Sequence, residues 1–243
     1  MDATSRILRF QLFNFKKTAS VFWTILLILN IIGYVITKFF YSKIQIGIFH
    51  NGQLVSITGS NIMPILIFFI IYGIVIYHEN FRLALNFGAT RRDFYKSVLA
   101  MNLIASFTFA VIQAILQVID KLFVNKMVVN SVISFQLNSN PIVNFLMIIL
   151  VFMSILLFTA SFMNIIGILQ YRYGYKFWIG LGILIFGSSI FMGVRIVQLF
   201  LRFTDLFLYL LPRLGVFTIP TLAILASTIF YVIGYSLFRK VSC

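Results

Sequence analysis

Uninterrupted apolar blocks dominate this chain, and the charged positions that cut them define its elements. Six stretches contain no Lys, Arg, Asp, Glu or His: Thr18 to Thr37, Asn51 to Tyr77, Ser97 to Ile119, Met127 to Tyr171, Phe177 to Val194 and Leu214 to Phe238. Each is near or above the roughly 20 residues that a helix needs to cross a bilayer core ~30 Å thick. The fourth, at 45 residues, is too long for one span. Within it, Asn138-Ser139-Asn140-Pro141 is a turn cluster that starts the helix at Ile142. The pattern predicts an all-α integral membrane protein, one domain over residues 1–243, with spans at about 18–39, 62–78, 91–119, 142–169, 177–194 and 214–238.

Composition agrees: 61% of the 243 residues are hydrophobic and 10% charged, against about 45–50% and 25% in a soluble domain, which excludes the soluble classes. The net charge of +14 in a polar protein would point to nucleic acid; here it reads as topology. With the N-terminus inside, 12 of the 19 Lys and Arg fall on the cytoplasmic side: Arg6, Arg9, Lys16, Lys17, Arg82, Arg91, Arg92, Lys96, Arg172, Lys176, Arg239 and Lys240. Both termini are therefore expected in the cytoplasm. The basic start resembles that of a signal peptide, but no small-x-small cleavage site follows, so an uncleaved first span is expected. Residues Ile7 to Phe15 suit either a helix lying on the inner surface or a cytoplasmic extension of that span.

The chemistry of catalysis is missing from the pattern. No predicted span carries a charge away from its ends, and His50 and His78 fall on opposite sides of the membrane, so they cannot share a metal. The lone Cys243 allows no disulfide within one chain. Proton- or sodium-coupled carriers keep ionisable groups near the midplane, and phosphate-cradling loops end in Gly-Lys-Ser/Thr; neither is found here. The expectation is a non-enzymatic protein whose work, if any, is powered by another subunit.

Two polar stripes interrupt the apolar blocks. Asn102, Ser106, Gln113, Gln117 and Asp120 fall within an arc of about 60° on the third span. Lipid does not satisfy amides, so this seam must face other helices or a wet cavity. Interhelical hydrogen bonding and a substrate path both fit. Arg195, Gln198, Arg202, Asp205 and Tyr209 form the second stripe, in a segment (about 195–213) that reads as a re-entrant element, an extension of the fifth span or an interfacial anchor. On the fifth span, Gly182, Ser189 and Gly193 share a face that would let another helix approach, from this chain or a second copy.

The loop after the second span is the most specific feature. Gly88 can end a helix, and Thr90 with Asp93 forms a capping box that restarts one at Arg91. A short helix of about Glu79 to Phe87 is expected outside the membrane, with Phe81, Leu83, Leu85 and Phe87 needing cover from the headgroup region or from a docked protein. The Phe87-Gly88-Ala89-Thr90-Arg91-Arg92-Asp93-Phe94-Tyr95 run, the six-span plan and the closing Leu237-Phe238-Arg239-Lys240 resemble type-2 ABC export permeases. That resemblance implies a coupling helix at Glu79, Phe81, Arg82, Leu85 and Phe87, flanked by Arg91 and Arg92, which docks on a separate ATPase subunit. It implies a second cytoplasmic contact at Tyr171, Arg172 and Lys176, and a re-entrant element at 195–213. It further implies two permease subunits, identical or related, on two ATPase copies that bind the ATP and Mg, with no cofactor on this chain and no nucleic-acid partner. The expected place is a bacterial plasma membrane, and the expected cargo an amphipathic or hydrophobic substrate. The short-looped, Phe- and Ile-rich form is nearest to exporters of antimicrobial peptides and phenol-soluble modulins; lipid, cell-wall polymer and drug exporters share the plan. A non-transporting scaffold or sensor that recruits a cytoplasmic partner is the competing expectation.

Overall fold

The computed structural model describes residues 3–40, 49–50, 53–54, 58–123, 140–184, 186–187 and 217–239. They form helices α1 (Ala3–Phe40), α2 (Ile62–Asn86), α3 (Arg91–Phe123), α4 (Pro141–Tyr173), α5 (Tyr175–Leu184) and α6 (Thr218–Arg239). A two-residue antiparallel ladder, Phe49–His50 (β1) with Gln53–Leu54 (β2), and a 3-10 turn at Thr58–Asn61 lie between α1 and α2. Five of these helices are long and apolar enough to cross a membrane. The expected fifth span, 177–194, overlaps α5; its residues 185 and 188–194 lie outside the described residues, as does the whole 195–213 segment.

Local chemistry explains the helix starts. Pro64, Pro141 and Pro220 all sit in first turns, where a missing N–H costs nothing because the first four have no helical acceptor. At α4, Asn140 caps the helix, its side chain accepting from the Ile142 N–H at 3.1 Å, so the turn cluster divides the longest apolar block as the sequence predicts. At α3, the Thr90 hydroxyl accepts from the Asp93 N–H at 3.2 Å while the Asp93 carboxylate accepts from the Thr90 N–H at 3.3 Å. This is the expected capping box.

One expectation changes, and one open alternative is decided. The short helix expected before α3 is not a separate element: α2 runs unbroken from Ile62 to Asn86, because nothing between Tyr77 and Glu79 breaks the backbone ladder. Residues Ile7 to Phe15 belong to the continuous α1, which selects the extension over the surface helix.

Half of the apolar window of α3 is buried, against 17% for α1 and α6, which makes α3 a central strut. Helix α4 packs on α2, α3 and α6, and α1 packs on α3. Helices α2 and α4 cross closely: a Cβ on Gly73 would lie 2.7 Å from the Met163 Cβ and one on Gly167 would lie 2.7 Å from the Gly73 carbonyl oxygen. Helices driven together without a hydrophobic effect need such small residues to gain van der Waals contact. The outer faces of α1 and α6 expose Val21, Ile25, Leu29, Leu225, Ile229 and Val232, a surface fit for lipid and not for water.

Candidate functional site

One end of the bundle gathers the residues that the sequence singles out. Phe81, Phe94 and Phe238 pack with ring centroids 4.9–6.0 Å apart, joined by Tyr77 and Tyr95, and Tyr171 meets Phe81 edge-on at 5.2 Å. Thr4 donates to Asp93 at 3.3 Å, and the Arg91 guanidinium donates to the Arg239 carbonyl at 3.5 Å. The start of α1, the α2–α3 turn, the end of α4 and the end of α6 therefore share this end. All four carry members of the Lys and Arg set that the sequence places on one side.

The α2–α3 turn closes in a Schellman arrangement: Ala89 N–H donates to Ala84 O at 3.1 Å and Gly88 N–H to Leu85 O at 2.9 Å, with Gly88 at φ 71°. The four apolar side chains of the expected docking helix divide. Phe81 is fully buried among this chain's own rings, so it is a core residue and not one awaiting cover by a partner. Leu85 packs partly on the same cluster, whereas Leu83 and Phe87 are 41% and 61% exposed. The division follows from helical geometry: Phe81 and Leu85 are one turn apart on the inner face, and Leu83 points away. Glu79 and Arg82 lie on the same turns, their side chains outside the described residues. Arg92 is exposed, and Phe87 meets Phe10 edge-on at 6.4 Å.

At the second expected contact, Gly174 (φ 59°) ends α4 and turns the chain into α5. Tyr171 is tied to the core, but Arg172, Tyr173, Tyr175 and Lys176 are exposed, with Arg172 stacked over the Tyr173 ring at 5.2 Å.

The polar seam of α3 is buried along its whole length and turned toward protein. Asn102 donates to the Tyr231 hydroxyl at 3.0 Å, and Gln113 donates to the Thr58 carbonyl at 2.7 Å. Asp120 accepts from Tyr34 at 2.6 Å and from Thr58 at 2.9 Å. Gln117 is 7% exposed, and the Ser106 hydroxyl and the Gln113 Oε1 find no partner among the described residues. Of the two readings, interhelical bonding accounts for Asn102, Gln113 and Asp120. Arg195, Gln198, Arg202 and Asp205 of the second stripe lie outside the described residues.

A second network had no counterpart in the sequence pattern. Tyr77 donates to the Asn164 carbonyl oxygen, Asn164 donates to the Tyr95 hydroxyl at 3.2 Å, and Tyr95 donates to the Tyr231 carbonyl at 2.6 Å. It ties α2, α3, α4 and α6 at one level. Gly234 makes the room, since a Cβ there would lie 2.9 Å from the Tyr95 hydroxyl. The available signal was Asn164 alone, an amide within an apolar block that must find a partner; its partners come from other helices and are invisible in one-dimensional spacing.

No family model matches the chain, and neither a curated protein nor a solved structure matches it.

Proposed function

We propose that this chain is the membrane-embedded permease subunit of an ATP-driven exporter, working with a separate ATP-hydrolysing subunit. The observation that carries the reading is the exposed apolar and basic patch of Leu83, Phe87 and Arg92 at the α2–α3 turn, beside a second exposed patch of Arg172, Tyr173, Tyr175 and Lys176. Leu83 and Phe87 are apolar side chains left exposed among basic residues at this end, and a cytoplasmic partner would cover them. Closure of two such partners would press on the ends of α2 and α3. Because α2 is continuous through Asn86, the push would travel along a rigid rod to the Gly73–Gly167 crossing and so to α4. The cargo would be amphipathic or hydrophobic, in keeping with spans that lack internal charge, and a membrane-active peptide is the member of that class the sequence resemblance favours.

The test is purification of the tagged chain from its own cells together with vanadate-sensitive ATP hydrolysis. Changing Leu83 and Phe87 to Asp should abolish the co-purifying hydrolysis and leave the protein folded and inserted. A folded chain that carries no ATPase before or after these changes refutes the reading. In that case the membrane scaffold is the better account, and one observation already favours it: the α3 seam is occupied by intrachain hydrogen bonds at Asn102, Gln113 and Asp120.

A further inference from the structure

Helix α1 is continuous from Ala3, yet its uncharged block begins only at Thr18, so Ala3 and Arg6 precede that block by 15 and 12 residues. At 1.5 Å per residue they lie about 22 and 18 Å along the helix from its start. On the α2 side, Phe87 lies ten residues past Tyr77, where the second uncharged block ends. That is about 15 Å of helix. The headgroup layer is only ~5–8 Å deep on each side of a bilayer, and a tilt of ~40° shortens these reaches by about a quarter. Lipid therefore does not reach the place where the start of α1 faces the end of α2.

The two segments enclose a pocket of about 260 Å³ at that level. Its floor is Ile7, Ala84 and Ala89, all buried, and Arg6 and Phe87 stand exposed at its rim beside Ala3. The room exists because three of these positions are alanine. Small-molecule sites run to roughly 300–1,000 Å³, so this one is sized for a protein side chain. Its surroundings have one sign of charge. Arg6, Arg9, Arg92, Arg172, Lys176 and Arg239 are all exposed at this end. Asp93 is the one carboxylate side chain described there, and its oxygens already accept from Thr4 and Thr90. Neither Arg6 nor Arg92 has an ion pair among the described residues. An acidic surface would relieve their mutual repulsion.

We propose that this pocket seats one large apolar side chain, a Phe, Leu or Met, of the ATP-hydrolysing partner, on a segment whose neighbouring residues are Asp or Glu and meet Arg6 and Arg92. The inference rests on the exporter reading and adds to it the start of α1 and the chemistry of the partner's contact. An apolar anchor in a pocket concentrates the affinity of an interface, and charge pairs around it set partner choice and orientation. Seated between α1 and α2, the anchor would pass the partner's movement to both helices.

The test uses the full chain purified from its own cells, with co-purifying vanadate-sensitive ATP hydrolysis as the readout and thermal unfolding as the check on folding. Arg6→Glu should lower the co-purified hydrolysis about tenfold, because it sets like charges against each other, and Arg6→Lys should retain most of it. Ala3→Trp, which blocks the mouth, should abolish it, whereas the small Ala3→Ser should not. Arg9→Glu, exposed on α1 but outside the lining, should keep most of it. p-Benzoylphenylalanine in place of Phe87 should crosslink on irradiation to the ATP-hydrolysing subunit, at an apolar residue flanked by Asp or Glu. A wild-type chain that carries no ATPase sinks the exporter reading and the pocket with it. Wild type that carries the ATPase, undiminished in folded Arg6→Glu and Ala3→Trp, overturns the pocket alone. Equal loss in Arg6→Glu and Arg9→Glu would assign the effect to general surface charge and overturn it too, as would a crosslink to lipid or to a second copy of this chain.

Discussion

Phe81 and Phe87 stand six residues apart, yet their fates are opposite. Phe81 lies in a ring cluster with no exposed surface; truncating it to Ser leaves a cavity and costs about 3–5 kcal/mol, on the scale of core Phe truncations. Phe87→Ser acts on a largely exposed ring in edge contact with Phe10 and should stay within about ±0.5 kcal/mol, as surface changes do. Thermal unfolding in detergent should therefore separate the two variants clearly, and equal midpoints would contradict the burial of Phe81. The same scale governs Asn164. Replacing it with Leu leaves the Tyr77 hydroxyl buried without an acceptor, whereas the pair Tyr77→Phe with Asn164→Leu removes both polar groups. The double variant should recover part of the single variant's loss, with a coupling near the ~0.6 kcal/mol average for hydrogen bonds between membrane helices. A coupling of zero would mean that the bond is not formed in the membrane.

Among the elements, α2 and α4 depend on the absence of two side chains. A methyl at Gly73 or Gly167 would sit 2.7 Å from atoms of the facing helix, and in each case those atoms are at or next to the backbone. Neither can rotate away, so the helices must separate. Gly73→Ala and Gly167→Ala should each destabilise by about 1–3 kcal/mol, the usual cost of overpacking. Gly182→Ala, on α5, meets nothing within 4 Å in the described structure and should be neutral within the single chain. If the two sets of variants unfold at the same temperature, the α2–α4 crossing is placed wrongly.

For the whole molecule, the end shared by Thr4, Asp93, Tyr171 and Arg239 fixes relative sidedness. In a Cys243→Ser background, single cysteines at Arg92 and Lys176 should react alike with an impermeant thiol reagent. A cysteine at Ser60, at the opposite end of α2, should react from the other face. With the basic end inside, only the Ser60 variant is labelled in intact cells; the reverse pattern would invert the orientation, and unlike labelling of the Arg92 and Lys176 variants would break the bundle topology.

The positions of the helices were legible from charge spacing and turn chemistry, because these act within a few residues along the chain. Arg91 begins a helix where the Thr90–Asp93 box says it should, and Asn140-Pro141 divides the longest block. The α3 seam was visible as an arc, since helical periodicity alone puts Asn102 and Asp120 on one face. What the seam faces was not: the partners Tyr34, Thr58 and Tyr231 come from three other elements, brought together only by packing. The same holds for Phe81. Its apolar character reads identically whether its neighbours belong to this chain or to another protein, and only the convergence of α2, α3, α4 and α6 decides that they belong to this chain.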